Sequence, residues 1–248
     1  MSEAVDRIYT WVGSEKKECR FVVTPNVDHA VLFQEHAGLR KAYADAALVL
    51  ADGMPVVAAA RLLGHPLPER VAGSDLAPAL FAAAEQRGTL RVYLLGAGLG
   101  VAERAAANIA THWPAVEVVG TYSPPLGFEY DSNENERILA RIAAVQPDIL
   151  IVGLGAPKQE LWVQKHRGQI RANVALCIGA TIDFLAGEKK RAPRWMRRLG
   201  LEWLHRVGSE PRRLLKRYLR DGWVFPALVA RELLARLRFL PRHASSNG

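Results

Sequence analysis

The sequence predicts an α/β fold in which a mostly parallel, Rossmann-like sheet has helices on both faces. Six short aliphatic and β-branched runs are bounded by Gly, Pro, Asn or Asp, as is typical of buried strands. Amphipathic segments separate most of these runs, and such alternation is typical of parallel sheets. The alternation stops after Gly187, where an arginine-rich helical stretch begins. We therefore predict a catalytic core over residues 1–187 and a basic helical appendage over residues 188–248.

The predicted elements follow one another along the core. The strands are FVVTPN (21–26), ALVLADG (47–53), LRVYLLGAG (90–98), VEVVGTYS (116–123), ILIVGLG (149–155) and VALCIGA (174–180). The helices are Asp28–Ala44, Ser74–Gln86, Val101–Trp113, Glu134–Val145 and Lys158–Ile170, with caps at Asp28 and Ser74. Ligands of such sheets bind at the carboxyl ends of the strands, so we expect the chemistry there.

Composition favours a cytoplasmic protein. Half of the residues are hydrophobic, enough for a substantial core, and Cys19 and Cys177 show no spacing typical of a disulfide framework or a zinc site. The N-terminus lacks the continuous apolar stretch of a secretory signal. The longest uncharged apolar run near the C-terminus, residues 222–230, is far shorter than the roughly 20 residues that span a bilayer. We expect no transmembrane helix.

Charge divides the chain at the same boundary. Residues 188–248 contain 16 Lys/Arg and 5 Asp/Glu, whereas residues 1–187 contain 17 and 20. The body is therefore acidic and the appendage basic. A basic appendage suits an anionic lipid surface, a phosphorylated substrate or a nucleic acid, and charge alone does not distinguish among them.

The end of the appendage has an amphipathic helical pattern. On a helical wheel one arc is apolar and the opposite arc is basic; the apolar residues are Val229, Leu233, Leu234, Leu237 and Leu240, and the basic ones Arg231, Arg238 and Arg242. This pattern suits a helix lying on an anionic membrane surface. A helix packed on the body with a solvated basic face would show the same pattern, and both interpretations stay open.

Asp52 is the first candidate for chemistry. It ends an apolar strand and precedes Gly53, so its carboxylate lies at the edge of the core, where burial raises a pKa toward that of a useful general base. Capping of a helix that begins near Met54 and Pro55 explains the same residues, because Asp-Gly-x-Pro is ordinary turn chemistry. The residue pattern leaves both alternatives open.

Three further polar residues suit a sugar and an anion. Thr24 and Asn26 follow the first strand and offer groups that bind hydroxyl or acetamido groups, although capping explains Asn26 equally well. Arg70 precedes a predicted helix, so its guanidinium and the free helix-start amides could bind one anion. An ion pair with Glu69 or Asp75 is the alternative for Arg70.

Glycine-rich turns follow two other strands. Gly96 and Gly98 suit close approach to a phosphate, but the next strand ends without the acid that holds an NAD ribose, so a dinucleotide site is disfavoured. Gly155, Lys158 and Gln159 place a cation and an amide at a helix start, which favours polar ligands, although an ordinary helix start explains Gln159. The last candidate, Asp183, suits a uracil or ribose, or a helix cap.

Motifs for metal or cofactor chemistry are absent from the sequence. It contains no DxD, no histidine pair with metal-ligand spacing, no GxSxG and no P-loop. We therefore expect no metal ion and no cofactor. If a nucleoside diphosphate leaves in the reaction, arginine, lysine and backbone amides must stabilise its charge.

Eight sequence blocks in a fixed order resemble the WecG/TagA/CpsF glycosyltransferases. They are TPNVDH (24–29), LADGMPVV (50–57), ERVAGSDL (69–76), LLGAG (94–98), PDILIVGLGAPKQE (147–160), GATIDFLAG (179–187), RAP (191–193) and GLEWLHR (200–206) with EPRR (210–213). The resemblance runs from about residue 20 to about residue 220. One block alone would be a weak signal, whereas eight in order are specific.

The resemblance implies an inverting, metal-independent transfer from a UDP-sugar to a polyprenyl-diphosphate-linked sugar, at the inner face of the cytoplasmic membrane. It assigns Asp52 as the general base, places Thr24, Asn26, Arg70 and Gln159 around the donor sugar and acceptor, and places Asp183 in the nucleotide site. It further implies an appendage that folds over the site and meets the diphosphate with Arg206, Arg213 and either Lys216 or Arg217. Self-association is also expected.

Two other functions are weighed against this one. A Rossmann oxidoreductase would need the missing ribose-binding acid. A nucleic-acid-binding module would use the basic appendage, which has no recognisable reading motif, so we expect no nucleic acid partner. The donor sugar itself stays open among N-acetylmannosamine, its uronic acid, glucose and glucuronic acid.

Overall fold

One sheet of six parallel strands forms the centre of the computed structural model, which describes residues 1–14, 19–193, 195–196, 201–209 and 211–239; the side chains of residues 213 and 237–239 are not described. The strands are β1 (Arg20–Val23), β2 (Leu48–Val49), β3 (Leu90–Gly96), β4 (Val116–Tyr122), β5 (Ile149–Gly153) and β6 (Val174–Cys177). Their order in the sheet is β2-β1-β6-β5-β3-β4. All six predicted strands and the predicted α/β class are confirmed.

Helices connect these strands and surround the sheet. They are α1 (Ser2–Val12), α2 (Val27–Glu35), α3 (Ala37–Ala44), α4 (Met54–Leu62), α5 (Gly73–Arg87), α6 (Val101–His112), α7 (Ser132–Val145), α8 (Lys158–His166), α9 (Thr181–Leu185), α10 (Glu202–Ser209) and α11 (Pro211–Phe239), with a 3-10 turn at Phe128–Tyr130. Helix α1 was not predicted. It packs an apolar face against the core through Ala4, Val5 and Ile8.

Two hydrophobic layers lie on opposite faces of the sheet, because successive strand residues point to opposite sides. Ile149 and Ile151 belong to a layer shared with α1, α5, α6 and α9. Leu150 and Val152, from the same strand, belong to a layer shared with α7 and α8. Burial on both faces explains why the strands read as continuous apolar runs.

The predicted helix Asp28–Ala44 is wrong as a single helix. His36 has an extended backbone conformation with φ −120° and ψ 90°, which ends α2, and its Nδ1 accepts a hydrogen bond from the N–H of Leu39 at 3.2 Å to cap α3. The predicted cap at Asp28 is also wrong. The residue that caps α2 is Asn26, whose Oδ1 accepts from the N–H of His29 at 3.4 Å.

The predicted cap at Ser74 is wrong as well. Helix α5 begins at Gly73, and its N-cap, Ala72, makes no side-chain capping bond. Glycine is required at this start because a Cβ there would lie 2.6 Å from the Cβ of Ile178. The hydroxyl of Ser74 instead accepts a hydrogen bond from Arg191 at 3.0 Å.

The described part of the appendage is helical and lies against the body. In α11, Arg231 donates to the side chain of Gln34 at 3.1 Å, and Arg236 donates to the carbonyl of Leu63. Leu234 of the same helix is 58% exposed. Two arginines of α11 thus contact the body while an apolar residue faces solvent, so the helix packs on the body but does not leave its whole basic face solvated. Membrane contact stays a prediction. The side chains of Leu237 and Arg238, and all of Leu240 and Arg242, lie outside the described residues.

Among the described residues, no helix combines the length and the hydrophobicity that crossing a bilayer requires. Apolar exposure on α11 is concentrated earlier than predicted, at Leu215, Leu219 and Trp223, which are 49%, 57% and 82% exposed. These three residues are spaced four apart, so they share one side of the helix. We call them the α11 apolar stripe.

Candidate active site

A cavity of about 620 Å³ lies at the carboxyl ends of β1, β5 and β6. The loops after these strands, together with the turn after β2, form one side of it, and α10 and α11 form the other. The volume is in the range of small-molecule binding sites. The chemistry was expected at the carboxyl ends of the strands, and the cavity lies there.

Asp52 lines this cavity as a partly buried residue. Strand β2 ends three residues earlier, but the chain stays alongside β1, because the N–H of Asp52 donates to the carbonyl of Pro25 at 2.8 Å. The N-cap of α4 is Gly53, with φ 132°, so Asp52 does not cap that helix. The capping alternative is therefore wrong, and the Asp52 carboxylate faces the cavity.

The surroundings of Asp52 make its carboxyl a weaker acid than usual. Burial is the main cause and the negative charge of Glu202 adds to it, so the pKa rises to about 6. Arg70, Arg206 and His29 act in the opposite direction but do not outweigh these effects. A carboxylate with this pKa is ionised at neutral pH and is more basic than an exposed aspartate.

Arg70 connects the core to the appendage. Its guanidinium donates to Glu202 of α10 at 3.1 Å and to Asp75 of α5 at 3.0 Å, and its side chain is 16% exposed. Asp75 also accepts from Arg191 at 2.8 Å. The alternative of an ion pair with Asp75 is thus correct about the partner, but the pair is not on the open surface. Arg70 and Glu202 both line the cavity.

Thr24, Asn26, Gly155 and Gln159 also line the cavity. Thr24 is 6% exposed and donates to the carbonyl of Cys177 at 3.5 Å. Asn26 caps α2, so the capping alternative for this residue is correct and coexists with its place in the cavity wall. Both ends of the Gln159 amide are bonded to protein: it donates to Glu160 at 2.8 Å and accepts from the N–H of Gly179 at 3.1 Å.

Asp183 lies in the first turn of α9 and lines the same cavity. Lys189, in the loop after α9, lines it as well. The N-cap of α9 is Ala180, so Asp183 is not its cap. The carbonyl of Asp183 accepts from the N–H groups of Glu188 and Lys189, which folds that loop back onto the helix. The carboxylate and the lysine provide opposite charges at one end of the cavity.

The appendage contributes arginines and aromatic rings to the cavity. Arg206 of α10 and Arg217 of α11 line it. Arg217 lies 3.4 Å from Asp28, which is also paired with Arg220 at 3.0 Å. The face of α11 that meets the cavity consists of Arg217, Tyr218, Asp221, Gly222, Phe225 and Pro226, at helical spacing. The helix therefore covers the site with both charge and apolar surface.

Three predicted binding residues lie outside the cavity wall. Gly96 allows β3 and β5 to pack closely, because a Cβ at this position would lie 2.5 Å from the carbonyl oxygen of Gly153. The carbonyl of Gly98 accepts from Ser123 at 3.2 Å, so hydrogen bonds within the protein hold that loop. Lys158 pairs with Glu129 at 2.8 Å. These contacts correct the expectation that the three residues face the substrate.

Two predicted appendage residues have different outcomes. Lys216 is exposed and does not line the cavity, because it lies about 100° around the helix from its neighbour Arg217. The side chain of Arg213 lies outside the described part of the chain. Of the basic residues expected to meet a diphosphate, Arg206 and Arg217 are the two that the structure brings to the cavity.

Sequence reasoning missed three residues of the site. His29 and Glu202 line the cavity, and Glu160 lies fully buried behind its wall. Each belongs to a block that carried the family resemblance, but no single residue in a block stands out by composition. Among the described residues, no group of three or more His, Cys, Asp or Glu is arranged to hold a metal ion.

Comparison with known proteins identifies the family. The family model described as glycosyl transferase WecG/TagA/CpsF family matches residues 1–239. The chain belongs to this family. An N-acetylglucosaminyldiphosphoundecaprenol N-acetyl-beta-D-mannosaminyltransferase of Staphylococcus aureus (strain MW2) is 30% identical over 214 residues, covering 86% of this chain and 82% of the relative. The protein of the same name from strain NCTC 8325 / PS 47 is 30% identical over 207 residues, covering 84% and 79%.

This protein is accordingly a WecG/TagA/CpsF glycosyltransferase, and both the predicted family and the predicted enzyme class are confirmed. The oxidoreductase and the nucleic-acid-binding module are no longer needed to explain the sequence. In this glycosyltransferase, Asp52, the guanidinium groups of Arg70, Arg206 and Arg217, and several polar side chains line one cavity.

Proposed function

We propose that this glycosyltransferase moves a sugar from a UDP-sugar to a sugar carried on polyprenyl diphosphate, with inversion at the anomeric carbon and without a metal ion. The names of the relatives support this substrate class, because they specify an N-acetylglucosaminyl-diphosphoundecaprenol acceptor and an N-acetylmannosaminyl group. The observation that carries the mechanism is Asp52, an aspartate with a pKa of about 6 in the same cavity as three arginines.

The reaction follows from these groups as a direct displacement. The acceptor hydroxyl attacks the anomeric carbon from the side opposite UDP while the Asp52 carboxylate takes its proton. A new glycosidic C–O bond forms, the bond from carbon to the diphosphate oxygen breaks, and its electron pair leaves with UDP. Arg206 and Arg217, with Arg70, supply positive charge for the departing diphosphate.

The remaining polar residues are assigned to recognition. We assign Thr24, Asn26 and Gln159 to the donor sugar and acceptor, and Asp183 to the uridine. Thr24 and Gln159 are buried, so packing restricts their positions, as a displacement reaction requires. This assignment rests on the family resemblance together with the common location of the four residues.

We further propose that the enzyme works at the inner face of the cytoplasmic membrane. Its acceptor would be lipid-borne, and the α11 apolar stripe lies on a basic appendage. An amphipathic basic helix of this kind binds anionic lipid surfaces. Self-association of the chain stays a prediction.

The test is UDP release by purified enzyme in EDTA with a panel of UDP-sugars and an N-acetylglucosaminyl-diphosphoprenol acceptor. UDP-N-acetylmannosamine is the first donor to try. Acceptor-dependent release in EDTA that is lost in Asp52→Asn supports the proposal, and Asp45→Asn serves as the control because Asp45 pairs with Lys41 and Gln164 away from the cavity. No release with any donor, or an Asp52→Asn variant as active as Asp45→Asn, would contradict it.

A further inference from the structure

A charged residue lies in the hydrophobic interior directly behind the cavity wall. Glu160, in the first turn of α8, is 0% exposed. Burying a carboxylate is costly unless charges and hydrogen bonds compensate it, so such a group needs an explanation in its contacts. One carboxylate oxygen, Oε2, is without a hydrogen-bond partner among the described residues. The hydrogen bonds and charges that offset the cost of burying Glu160 must therefore act on its other oxygen, Oε1.

That other oxygen, Oε1, connects first to the loop after β6. It accepts a hydrogen bond from Nε2 of Gln159 at 2.8 Å, and Oε1 of Gln159 in turn accepts from the N–H of Gly179 at 3.1 Å. Gln159 is 3% exposed, so solvent competes little for these bonds. The carboxylate thereby fixes the orientation of the Gln159 amide and the position of the Gly179 backbone, both of which line the cavity.

The same oxygen also connects to the loop after β1. Nε2 of His29 lies 3.4 Å from Oε1 of Glu160, a close approach that is not a hydrogen bond, and the His29 side chain is 9% exposed. The other ring nitrogen, Nδ1, lies 2.9 Å from Oδ1 of Asn26. The imidazole therefore lies between Glu160 and the Asn26 side chain, within 3.4 Å of both. Asn26 and His29 both line the cavity.

We propose that Glu160 and His29 are positioning residues for the transfer reaction, holding two walls of the cavity, Asn26 and Gln159 with Gly179, in fixed relation through one carboxylate oxygen. This inference rests on the proposed function for its substrate. Strands β1 and β6 are neighbours in the sheet, so the two walls follow adjacent strands. Small displacements of groups that orient a reacting sugar reduce the rate strongly, which gives the buried charge a function.

Two substitutions of Glu160 test the proposal, one removing the whole carboxylate and the other only its charge. Glu160→Leu removes both oxygens with little change in size, and Glu160→Gln keeps one oxygen that accepts from Gln159 but removes the charge that faces His29. The matched control is Glu134 of α7, a carboxylate that is 7% exposed, bonds Tyr122 and Arg137, and does not line the cavity. Glu134→Leu and Glu134→Gln reproduce the loss of a buried carboxylate away from the site.

We expect Glu160→Leu to lower kcat/KM for the UDP-sugar at least about 100-fold and Glu160→Gln about tenfold, since misplacement of an orienting group has effects of this order. Affinity for UDP alone, measured by calorimetry, stays within about threefold, because the network touches the sugar-binding residues and not the uridine site. The Glu134 variants stay within about threefold of wild type per folded molecule. Equal effects at positions 160 and 134 would overturn the proposal.

Coupling between residues provides a second criterion. If Glu160 acts through Gln159, adding Gln159→Ala to Glu160→Leu reduces kcat/KM little further, because the two residues form one unit. Losses that multiply would show that they act independently and would overturn the proposal. If Glu160→Leu does not fold, the same cycle is measured with Glu160→Met, which also removes both oxygens.

Hydrogen exchange separates this proposal from the proposed function, because it needs no substrate. Without ligands, the Gly179 amide should exchange at least about tenfold faster in Glu160→Leu than in wild type, and should be unchanged in Glu134→Leu. If this holds but the wild-type enzyme shows no transfer, the proposed function fails and the positioning network stands. If wild type is active and exchange at Gly179 is unchanged in Glu160→Leu, the network is overturned.

Discussion

The sheet core and the appendage contribute to one cavity by different physical means. The core walls follow fully buried strands such as β6, and residues behind them, including Glu160, are inaccessible to solvent. In contrast, α10 contains no buried residue, and the described side chains of α11 include only Leu214 and Asp221 as buried. The core is held by packing, which is insensitive to salt, and the appendage largely by surface contacts.

Ion pairs account for much of the attachment. Arg70 of the core pairs with Glu202, and Asp28 of the core pairs with Arg217 and Arg220. These pairs are partly buried, so salt screens them less than it screens surface pairs, but it weakens them more than it weakens apolar packing. The comparison indicates that the proposed base, Asp52, lies in the more tightly packed part of the enzyme, whereas two of the arginines proposed to meet the leaving group, Arg206 and Arg217, lie in the less tightly packed part.

The largest expected effect is at the base. Asp52→Asn should lower kcat about 10²- to 10⁴-fold, the usual range for a general base. Stability should not fall, because the folded state raises the pKa of Asp52 from 3.8 to about 6. That group stabilises the fold below pH 3.8, and the contribution is lost as the pH rises through about 6. At pH 7.5 the variant should therefore unfold at the wild-type temperature or above it, measured by scanning calorimetry.

A lower melting temperature in Asp52→Asn would mean that its activity loss reports damage to the core. In that case Asp52 would be a structural residue and not the general base. Measurement at pH 4 provides the internal control, because the wild-type carboxyl is then protonated in the folded state and the two proteins should have similar melting temperatures.

The next effect is at the appendage arginines. Arg206→Ala and Arg217→Ala should each lower kcat about 10- to 100-fold, because each removes a positive charge near the departing diphosphate. Lys216→Ala is the matched control and should stay within about twofold, since Lys216 does not line the cavity. If the Lys216 variant were as impaired as the Arg217 variant, general charge on α11 would explain the effect and specific placement would not.

Smaller still is the contribution of the apolar stripe. Leu219→Ser with Trp223→Ser should weaken binding to vesicles containing anionic lipid about tenfold, since apolar burial adds to electrostatic attraction. Activity on a short-chain, water-soluble acceptor should be unchanged. Leu126 lies in the α/β body, outside the appendage, and is 99% exposed, so Leu126→Ser is the control for loss of exposed apolar surface. Equal vesicle binding by both variants would remove the stripe as a membrane contact.

The smallest expected effect is a change in pH dependence. In wild type, kcat/KM should rise with pH through about 6 as Asp52 ionises. Glu202→Gln should shift this rise to lower pH, because the charge of Glu202 raises the pKa of Asp52 while Arg70, Arg206 and His29 lower it. An unshifted profile in Glu202→Gln would indicate that Glu202 does not influence the ionisation of Asp52.

The amino-acid sequence by itself determined the fold class, the six strands and the family. Those features depend on local periodicity and on ordered blocks of residues, which can be read along the chain. It also placed Asp52, Gln159 and Asp183 after strands whose carboxyl ends meet at one edge of a parallel sheet, and these three residues and Arg70 line one cavity.

Only the tertiary structure decided which residues of each block face the cavity. Gly96 and Lys158 are residue types that suit a phosphate site. However, Gly96 packs closely against Gly153, and Lys158 forms an ion pair with Glu129, so neither lines the cavity. Glu160 could be found only from its burial, and Glu202 only from its approach to Asp52. Burial and charge proximity arise from contacts between residues distant in sequence, and therefore no local pattern encodes them.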